Sequence, residues 1–187
     1  MNNQLFVVAI TGASGAIYGK ILLDTLKQIV PNPENIGIIM SDTAKKVWEY
    51  ELNNNDYKLY PFKFFDNDNF FAPFASGSSR YSGMIICPCT MGTMGRIANG
   101  VADDLISRTA DVMMKERRKL IMVIRETPYN LIHIENMKKI TLSGGIIMPA
   151  NPSFYSKPKT INDIVKTITD RALSISGFEI NSFEWGE

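Results

Sequence analysis

A glycine-rich turn near the amino terminus contains the residues best suited by type and spacing to bind an anion. The apolar run 7–10 ends in the small residues of Thr11–Gly19, and a helical pattern follows. This order predicts a buried strand, a tight turn and the first turn of a helix. Glycines let backbone N–H groups approach a phosphate closely, and a helix N-terminus carries about half a positive charge. The turn therefore predicts a phosphate site, with the hydroxyl of Ser14 within reach of the ligand.

The spacing of the three glycines in this turn separates it from dinucleotide sites. They read G-x-x-G-x-x-x-G, which differs from the G-x-G-x-x-G fingerprint. A short-chain dehydrogenase would also need a Tyr-x-x-x-Lys pair on one helical face. Tyr155 and Lys159 have that spacing, but Pro158 lies between them and would break the helix. The pattern favours a mononucleotide phosphate, and tight packing of strand against helix is the alternative.

Composition limits the classes of protein to which the chain can belong. Apolar residues make up 45% and charged residues 21% of its 187 residues, which is ordinary for a globular protein. A formal net charge of +1 gives no electrostatic footprint for nucleic acid. No stretch approaches the roughly 20 apolar residues of a membrane span, and the first residues lack a signal-peptide core. We therefore expect one cytoplasmic domain, residues 1–187, that binds neither nucleic acid nor membrane.

The residues that could bind a metal are few. Cys87 and Cys89 flank Pro88 at the end of a predicted strand, and only His133 could join them as a soft ligand. We expect reduced core thiols there and no metal site. The Asp-Asn-Asp-Asn run at 66–69 lacks the glycine and the distal glutamate of an EF-hand, so a solvated turn is expected.

Strands and helices alternate along the whole chain. Strands are predicted at 7–10, 36–40, 83–87, 120–124 and 145–148, and helices at 17–30, 43–52, 90–99, 104–117, 131–142 and 161–176. Most of the strands are continuous apolar runs, which indicates a parallel sheet with both faces covered. The predicted architecture is therefore a three-layer α/β fold whose ligands bind beyond the carboxyl ends of the strands.

Polar residues follow several of these strands. Ser41 follows the second strand, Thr90–Thr93 follow the third, and Arg125–Glu126 follow the fourth. Their hydroxyls can contact ribose or phosphate, or they can cap the helices that come next. We expect the hydroxyl-rich loop Ser76–Ser79 at the same edge of the sheet.

The segment Asn53–Phe74 shows no sustained period and is predicted to be irregular. Phe70, Phe71 and Phe74 have no place in any helical stripe. Because monomers rarely expose large apolar patches, we expect these three rings to pack between subunits.

Six motifs occur together in an order that points to one family. They are Thr-Gly-Ala-Ser-Gly-Ala-x-Tyr-Gly, Ala-Ser-Gly-Ser-Ser, Cys-Pro-Cys-Thr, the Arg108-Thr-Ala-Asp-Val run leading into Lys115-Glu-Arg-Arg, Arg-Glu-Thr-Pro and Phe-Tyr-x-x-Pro. Across residues 5–187 the chain resembles the UbiX-type flavin prenyltransferases, including the paralogues paired with phenolic-acid decarboxylases. The resemblance implies a flavodoxin/Rossmann-like sheet and a homo-dodecamer with flavin at the subunit interfaces.

The resemblance also implies a reaction. A dimethylallyl group from dimethylallyl monophosphate is joined to N5 and C6 of reduced FMN, and the product, prenylated FMN, goes to a UbiD-type decarboxylase. Prenyltransferases that use diphosphates gather Mg²⁺ on Asp-Asp-x-x-Asp motifs, and this sequence has none. We therefore expect a monophosphate donor and no metal.

Roles for individual residues follow from the same resemblance. The flavin and its phosphate would be held by Gly12, Ala13, Ser14, Ser41, Thr90, Met91, Gly92, Thr93 and Arg125. The prenyl donor would be bound by Lys115, Tyr155, Arg171 and Trp185. Catalytic roles would fall to Ser14, Glu51, Lys115 and Glu126, with the two glutamates handling protons. Glu126 could protonate the leaving phosphate if its pKa is raised.

Two other functions share parts of this pattern. A flavin-dependent cysteine decarboxylase depends on a histidine before the strand at 83–87, whereas the one histidine of this chain is His133. An FMN-binding electron carrier would be acidic, and it would have no use for Lys115, Tyr155 and Arg171 as a group.

Overall fold

The computed structural model describes residues 3–183 and Gly186, and it places six parallel strands in one sheet. The strands are β1 (Phe6–Ile10), β2 (Ile36–Met40), β3 (Lys63–Phe65), β4 (Gly83–Cys89), β5 (Lys119–Ile124) and β6 (Ile146–Pro149). Their order is β3-β2-β1-β4-β5-β6. The winding of the chain reverses between β1 and β4, so the carboxyl ends of these two strands flank the crevice where such sheets bind ligands.

Six helices cover the two faces of the sheet. They are α1 (Ala16–Ile29), α2 (Asp42–Leu52), α3 (Met91–Ala98), α4 (Leu105–Lys115), α5 (Leu131–Leu142) and α6 (Ile161–Ser176). Helices α1, α2 and α6 pack on one face, and α3, α4 and α5 pack on the other. The predicted three-layer parallel α/β fold is therefore confirmed.

Alternate residues of the central strands enter two separate cores. In β1, Val8 points to the core beneath α1, α2 and α6, whereas Val7 and Ala9 point to the core beneath α3 and α4. A strand buried on both faces must be apolar throughout, which is the reason for the continuous apolar runs in the sequence.

The segment between α2 and β4 is more ordered than its composition predicts. It contains the edge strand β3, which the sequence pattern misses because it has three residues and an exposed face. The predicted place of Phe74 between subunits is wrong, since its side chain is fully buried with ring centroids 4.8 Å from Phe65 and 5.1 Å from Tyr81. Phe70 and Phe71 are exposed, and their packing between subunits stays a prediction.

Polar side chains set the amino ends of most helices. The predicted capping box of α6 is confirmed: Asp163 N–H donates to Thr160 Oγ1 (3.1 Å), and Thr160 N–H donates to Asp163 Oδ2 (3.0 Å). Helix α1 differs, because its first residue is preceded by Gly15 with φ +104° and no side chain of that residue can cap it. Only glycine adopts this left-handed backbone readily.

The two cysteines are free thiols in the interior of the sheet. Burial raises the pKa of both, to about 12 for Cys89, so neither is a thiolate at neutral pH. In the described part of the chain, no three metal-binding side chains are grouped together. None of its helices is long and apolar enough to cross a membrane.

Candidate functional site

The carboxyl ends of β1 and β4 are joined by one threonine. The N–H and the hydroxyl of Thr11 both donate to the Pro88 carbonyl, at 3.1 and 2.9 Å, and the Thr90 N–H donates to Thr11 Oγ1 at 2.8 Å. These bonds fix the two strand ends that flank the crevice. We call the polar edge formed by the ends of β1, β2, β4 and β5 the rim.

Gly12 allows the rim to close on its β2 side. A Cβ atom at this position would lie 2.4 Å from Thr43 Cγ2, in the first turn of α2, so any side chain would push that turn away. Ser41 caps the same helix, with its Oγ accepting from the Ala44 N–H at 3.1 Å. The predicted flavin-binding residues Gly12, Ser14 and Ser41 therefore lie along one edge.

The anion at the glycine-rich turn is a carboxylate of the protein itself. Glu51 accepts from the Gly15 N–H (2.9 Å to Oε2) and from the Ala16 N–H (2.7 Å), and it is also hydrogen-bonded by the Ser14 side chain. Glu51 thus caps α1, although 35 residues separate it from Ala16. The sequence predicts a phosphate at this turn, whereas in the structure the Gly15 and Ala16 N–H groups bind Glu51.

The charge of Glu51 is stabilised where it lies. Partial burial acts to raise the pKa of this carboxyl group, but the hydrogen bonds from Ser14, Ala16 and Gly15, together with the nearby charge of Arg125, hold the pKa below its usual value. Glu51 is therefore ionised at neutral pH, and an ionised carboxylate can position its donors but carries no proton to give.

Arg125 reaches the same turn from the end of β5. Its Nε donates to the Ser14 carbonyl at 3.0 Å, and its backbone N–H donates to the Cys89 carbonyl at 3.3 Å. Glu126 follows on the rim, with Oε1 accepting from the Thr127 N–H at 3.1 Å. Ser14, Glu51 and Arg125 are therefore assembled within one chain.

The first turn of α3 has residues that could hold the phosphate of a mononucleotide. Thr90 Oγ1 accepts from the Thr93 N–H at 3.1 Å and donates to Thr93 Oγ1 at 2.9 Å. Gly92 is exposed, and the nearest atom to a Cβ built there would be Thr90 Oγ1 at 4.0 Å, so a ligand can approach this backbone. Because Glu51 already fills the end of α1, the residues present suit one phosphate, as in FMN, rather than two.

A cavity of about 1250 Å³ lies along α6, and it contains two of the predicted donor-binding residues. Tyr155 and Arg171 both line it, together with residues 181–183 of the C-terminal segment. Most of its α6 wall is one helical face with the spacing i, i+3, i+4, and the α6 residues that line it are Asp163, Lys166, Thr167, Ile168, Asp170, Arg171 and Ser174. The opposite face of α6 is buried in the core.

The cavity opens beside the rim. Its lining begins at Met148 and Pro149, where β6 ends, and the following Ala150 N–H donates to the Ile124 carbonyl at 2.9 Å, one residue before Arg125. Neither Arg125 nor Glu126 lines it. Lys166 and Asp170 do line the cavity, although the sequence analysis gives them no role. Their helical spacing from Arg171 could have predicted that both lie on the same face as Arg171.

Lys115 lies at the opposite edge of the sheet. It ends α4, immediately before β5 begins, and it pairs with Glu116 beside Gly77. The expected position of the Ser76–Ser79 loop is also wrong, because this loop precedes β4 and Arg118 binds the Gly77 carbonyl at 2.6 Å. The six residues of β5 span about 16 Å at roughly 3.3 Å per residue, so one chain does not bring Lys115 to Arg125. Trp185 is outside the described residues.

The fold and the rim are those of a protein that binds a flavin mononucleotide. The family model described as Flavoprotein matches residues 1–173. The chain is 44% identical over 183 residues to the flavin prenyltransferase UbiX of Methanocaldococcus jannaschii, covering 96% of this chain and 97% of that protein. The chain therefore belongs to the UbiX flavin prenyltransferase family, whose members are transferases acting on FMN.

Solved structures agree with this assignment. A dodecameric FMN-dependent UbiX-like decarboxylase from Escherichia coli O157:H7 superposes with a TM-score of 0.88 at 38% identity, covering 96% of this chain and 98% of that one. AnUbiX (PadA1), solved in complex with FMN and dimethylallyl pyrophosphate, gives 0.85 at 39% identity, covering 97% and 100%. The resemblance inferred from the six motifs is confirmed, as are the parallel fold and the enzyme class.

Proposed function

We propose that this protein transfers the dimethylallyl group of dimethylallyl monophosphate to N5 and C6 of reduced FMN, and that a UbiD-type decarboxylase receives the prenylated FMN. The observation that carries the proposal is the cationic cavity of Tyr155 and Arg171, which opens beside a rim shaped for one mononucleotide. Membership of the family indicates that FMN accepts the prenyl group, and the cavity offers a place where a small phosphorylated donor can bind. We infer that residues 1–187 act as one FMN-binding domain, and its buried free thiols suit the cytoplasm.

The residues of the chain divide between the two substrates. Reduced FMN, when bound on the rim, supplies the electron-rich N5 and C6 atoms that accept the allylic carbons. The Arg171 guanidinium and the Tyr155 hydroxyl suit the phosphate of the donor, because charge-assisted hydrogen bonds stabilise a leaving dianion. Glu126, which lies on the rim, is placed to accept the proton that leaves C6. Ionised Glu51 is placed to hold the Ser14 hydroxyl in position.

We infer that Lys115 enters the site from a neighbouring subunit. It points to the Gly77 loop at the amino edge of the sheet, so only a second copy can place it against the donor phosphate. Exposed apolar side chains support such an assembly: Phe71 is 99% exposed, and Leu131 and Ile132 at the start of α5 are 71% and 70% exposed. The dodecamer of the Escherichia coli relative is the assembly that we propose for this chain.

The test is turnover of FMN reduced under anaerobic conditions. We expect dimethylallyl monophosphate to give a flavin heavier by one dimethylallyl group, with the rate unchanged in excess EDTA. Dimethylallyl pyrophosphate, the ligand of the AnUbiX complex, is the matched competitor, assayed with and without Mg²⁺. The Arg171 guanidinium, the Tyr155 hydroxyl and the Lys115 ammonium of a neighbouring subunit suit one dianionic phosphate, and such cations need no metal between them and the donor. Loss of activity in EDTA, or faster transfer from the pyrophosphate, would contradict this assignment of the donor.

A second measurement tests the proposed recipient. The product solution, freed of protein, should restore activity to a UbiD-type decarboxylase purified without its flavin, whereas unmodified FMN should not. Equal restoration by unmodified FMN would show that prenylation is not what the decarboxylase needs.

A further inference from the structure

Two carboxyl groups line the α6 cavity, and their surroundings differ. Asp163 is exposed at the start of the helix, where Oδ2 accepts from the N–H groups of Lys159 (3.1 Å) and Thr160 (3.0 Å). These hydrogen bonds lower its pKa, so Asp163 is an ionised cap. Such a carboxylate holds its helix in place and has no proton to deliver.

Asp170 lies two turns further along the same face, next to Arg171. Its side chain is half-buried against the cavity wall, and burial raises its pKa, an effect that the charge of Lys166 partly offsets. Pairs of carboxyl groups whose surroundings push their pKa values apart are typical of acid and base assignments in active sites. Of the two carboxyl groups, Asp170 is therefore the more readily protonated.

The groups around Asp170 come from every element that packs on α6. The α6 face itself and the loop before it contribute charged and phenolic groups, namely Asp163, Lys166, Arg171, Tyr155, Lys157 and Lys159. On α1, Lys20 and Asp24 pair with each other at 2.7 Å, and Asp24 accepts from the Tyr60 hydroxyl. Beneath α6, strands β4 and β5 present apolar side chains and the neutral Cys87, and Lys119 at the start of β5 donates from Nζ to the Ile175 carbonyl of α6 at 2.9 Å.

We propose that Asp170 is the acid that protonates the phosphate as it leaves the prenyl donor. The proposal rests on the proposed function, which places that phosphate on Tyr155 and Arg171. Asp170 is the neighbour of Arg171 on one cavity wall, whereas Glu126 lies on the rim and does not line the cavity.

The chemistry requires such an acid. When the bond between the allylic carbon and the bridging oxygen breaks, its electron pair stays on that oxygen, and an unprotonated monophosphate would leave as a trianion. Transfer of the Asp170 proton to a phosphate oxygen gives HPO₄²⁻ and the Asp170 carboxylate, and the carbon passes to the reduced flavin. The carboxylate then regains its proton from solvent.

Donor binding should itself load the acid. A dianion placed beside Asp170 disfavours the ionised carboxylate, so its proton affinity rises when the donor binds. Binding of dimethylallyl monophosphate should therefore take up a proton, and this can be measured without turnover. The experiment is isothermal titration of the oxidised FMN-loaded protein near neutral pH, in buffers of different ionisation enthalpy. We expect proton uptake in the wild type and its loss in Asp170→Asn.

Kinetics test the same residue by a separate readout. We expect Asp170→Asn to slow prenyl transfer by roughly 10²–10⁴-fold, the usual contribution of general acid catalysis, with little change in KM for the donor. Asp170→Glu should restore part of the rate. The wild-type rate should fall as pH rises through the pKa of Asp170, and the Asn variant should lose this limb. Glu135→Gln is the matched control, because Glu135 is an exposed carboxylate of α5 that pairs with Lys138 at 3.8 Å.

The outcomes distinguish a wrong role for Asp170 from a wrong proposed function. If the wild type makes prenylated flavin and Asp170→Asn keeps both its rate and its proton uptake, the role of Asp170 is wrong and the proposed function stands. If Glu126→Gln removes the alkaline limb and Asp170→Asn does not, the acid is Glu126 and the proposal is overturned. If the wild type makes no prenylated flavin, the proposed function itself is wrong, and measurements on the wild type alone are enough to show this.

Discussion

The rim and the α6 cavity are both polar, but they are organised in opposite ways. On the rim, Ser14, Glu51 and Arg125 come from three parts of the chain. Hydrogen bonds of 2.7–3.1 Å join Glu51 to the backbone of the glycine-rich turn and Arg125 to the Ser14 carbonyl. In the cavity, Tyr155 is 67% exposed and Arg171 is exposed beside it. These three rim residues are held together within one chain, whereas the cavity presents charges to solvent.

This difference indicates how the two substrates are treated. A rim whose side chains are already held by hydrogen bonds is preorganised, so it can bind the flavin with little rearrangement. Solvated cations change their surroundings when a phosphate arrives and water is displaced, so their hydrogen bonds strengthen when the site closes. Variants of the rim should therefore alter flavin binding and stability, and variants of the cavity should alter the rate.

The largest expected effect is in the cavity. Arg171→Ala should lower kcat/KM for dimethylallyl monophosphate by roughly 10²–10³-fold, the scale of removing one fixed donor to developing charge. The Kd for FMN should change less than threefold, because Arg171 is not part of the rim. Arg171→Lys distinguishes a bidentate contact from simple charge, since lysine cannot offer the planar fork. Lys138→Ala on α5 is the control for loss of one surface cation. If Arg171→Ala weakened FMN binding as much as it lowered kcat/KM, the cavity and the rim would not be separate binding regions.

A smaller effect is expected on the rim. Glu51→Ala removes the acceptor for the Gly15 and Ala16 N–H groups and should lower the free energy of unfolding by about 0.5–2 kcal/mol, the usual cost of losing an N-cap. It should also weaken FMN binding, because Ser14 loses its partner. Urea unfolding and quenching of flavin fluorescence measure the two effects.

Inorganic phosphate gives this variant a specific control. With Glu51 gone, the vacated end of α1 becomes a place where phosphate can bind, so millimolar phosphate should restore part of the stability of Glu51→Ala. The same phosphate should stabilise the wild type less. Equal stabilisation of both proteins would mean that Glu51 does not occupy the anion site.

The sequence predicts the rim better than the cavity, for a physical reason. Caps, turns and buried strands are encoded by neighbouring residues, so Ser41, Thr90–Thr93 and Arg125 are recognisable at the strand ends. The role of Glu51 is not, because its partners lie 35 and 36 residues away. The family resemblance marks this residue as functional, but only the fold shows that it is a cap.

Chain order and topology also decide which positions can be inferred in advance. In a parallel sheet, the end of a helix that precedes a strand lies at the amino edge, so the position of Lys115 before β5 could have been inferred from chain order. The burial of Phe74 could not, because it depends on Phe65 in a three-residue strand with little pattern of its own. Asp170 falls between these cases, since helical spacing places it beside Arg171 but only the cavity gives it a use.

The smallest expected effect is the dependence of stability on acid. The pKa of Glu51 in the folded protein lies below its ordinary value, so protons bind this group more tightly in the unfolded chain. Its contribution to stability is therefore fully present above the ordinary glutamate pKa of about 4.3, and it is lost as pH falls through the folded-state value.

Glu51→Gln keeps one acceptor oxygen but cannot titrate. The urea midpoint of the wild type should exceed that of this variant at pH 7 by an amount worth at most about 1 kcal/mol, since the carboxylate is partly solvated. Between pH 5 and pH 3 the gap should close. Asp163 has a lowered pKa as well, but it is present in both proteins and cancels from the difference. A gap that stays constant into acid would show that Glu51 acts on the rim by shape and hydrogen bonding alone, without its charge.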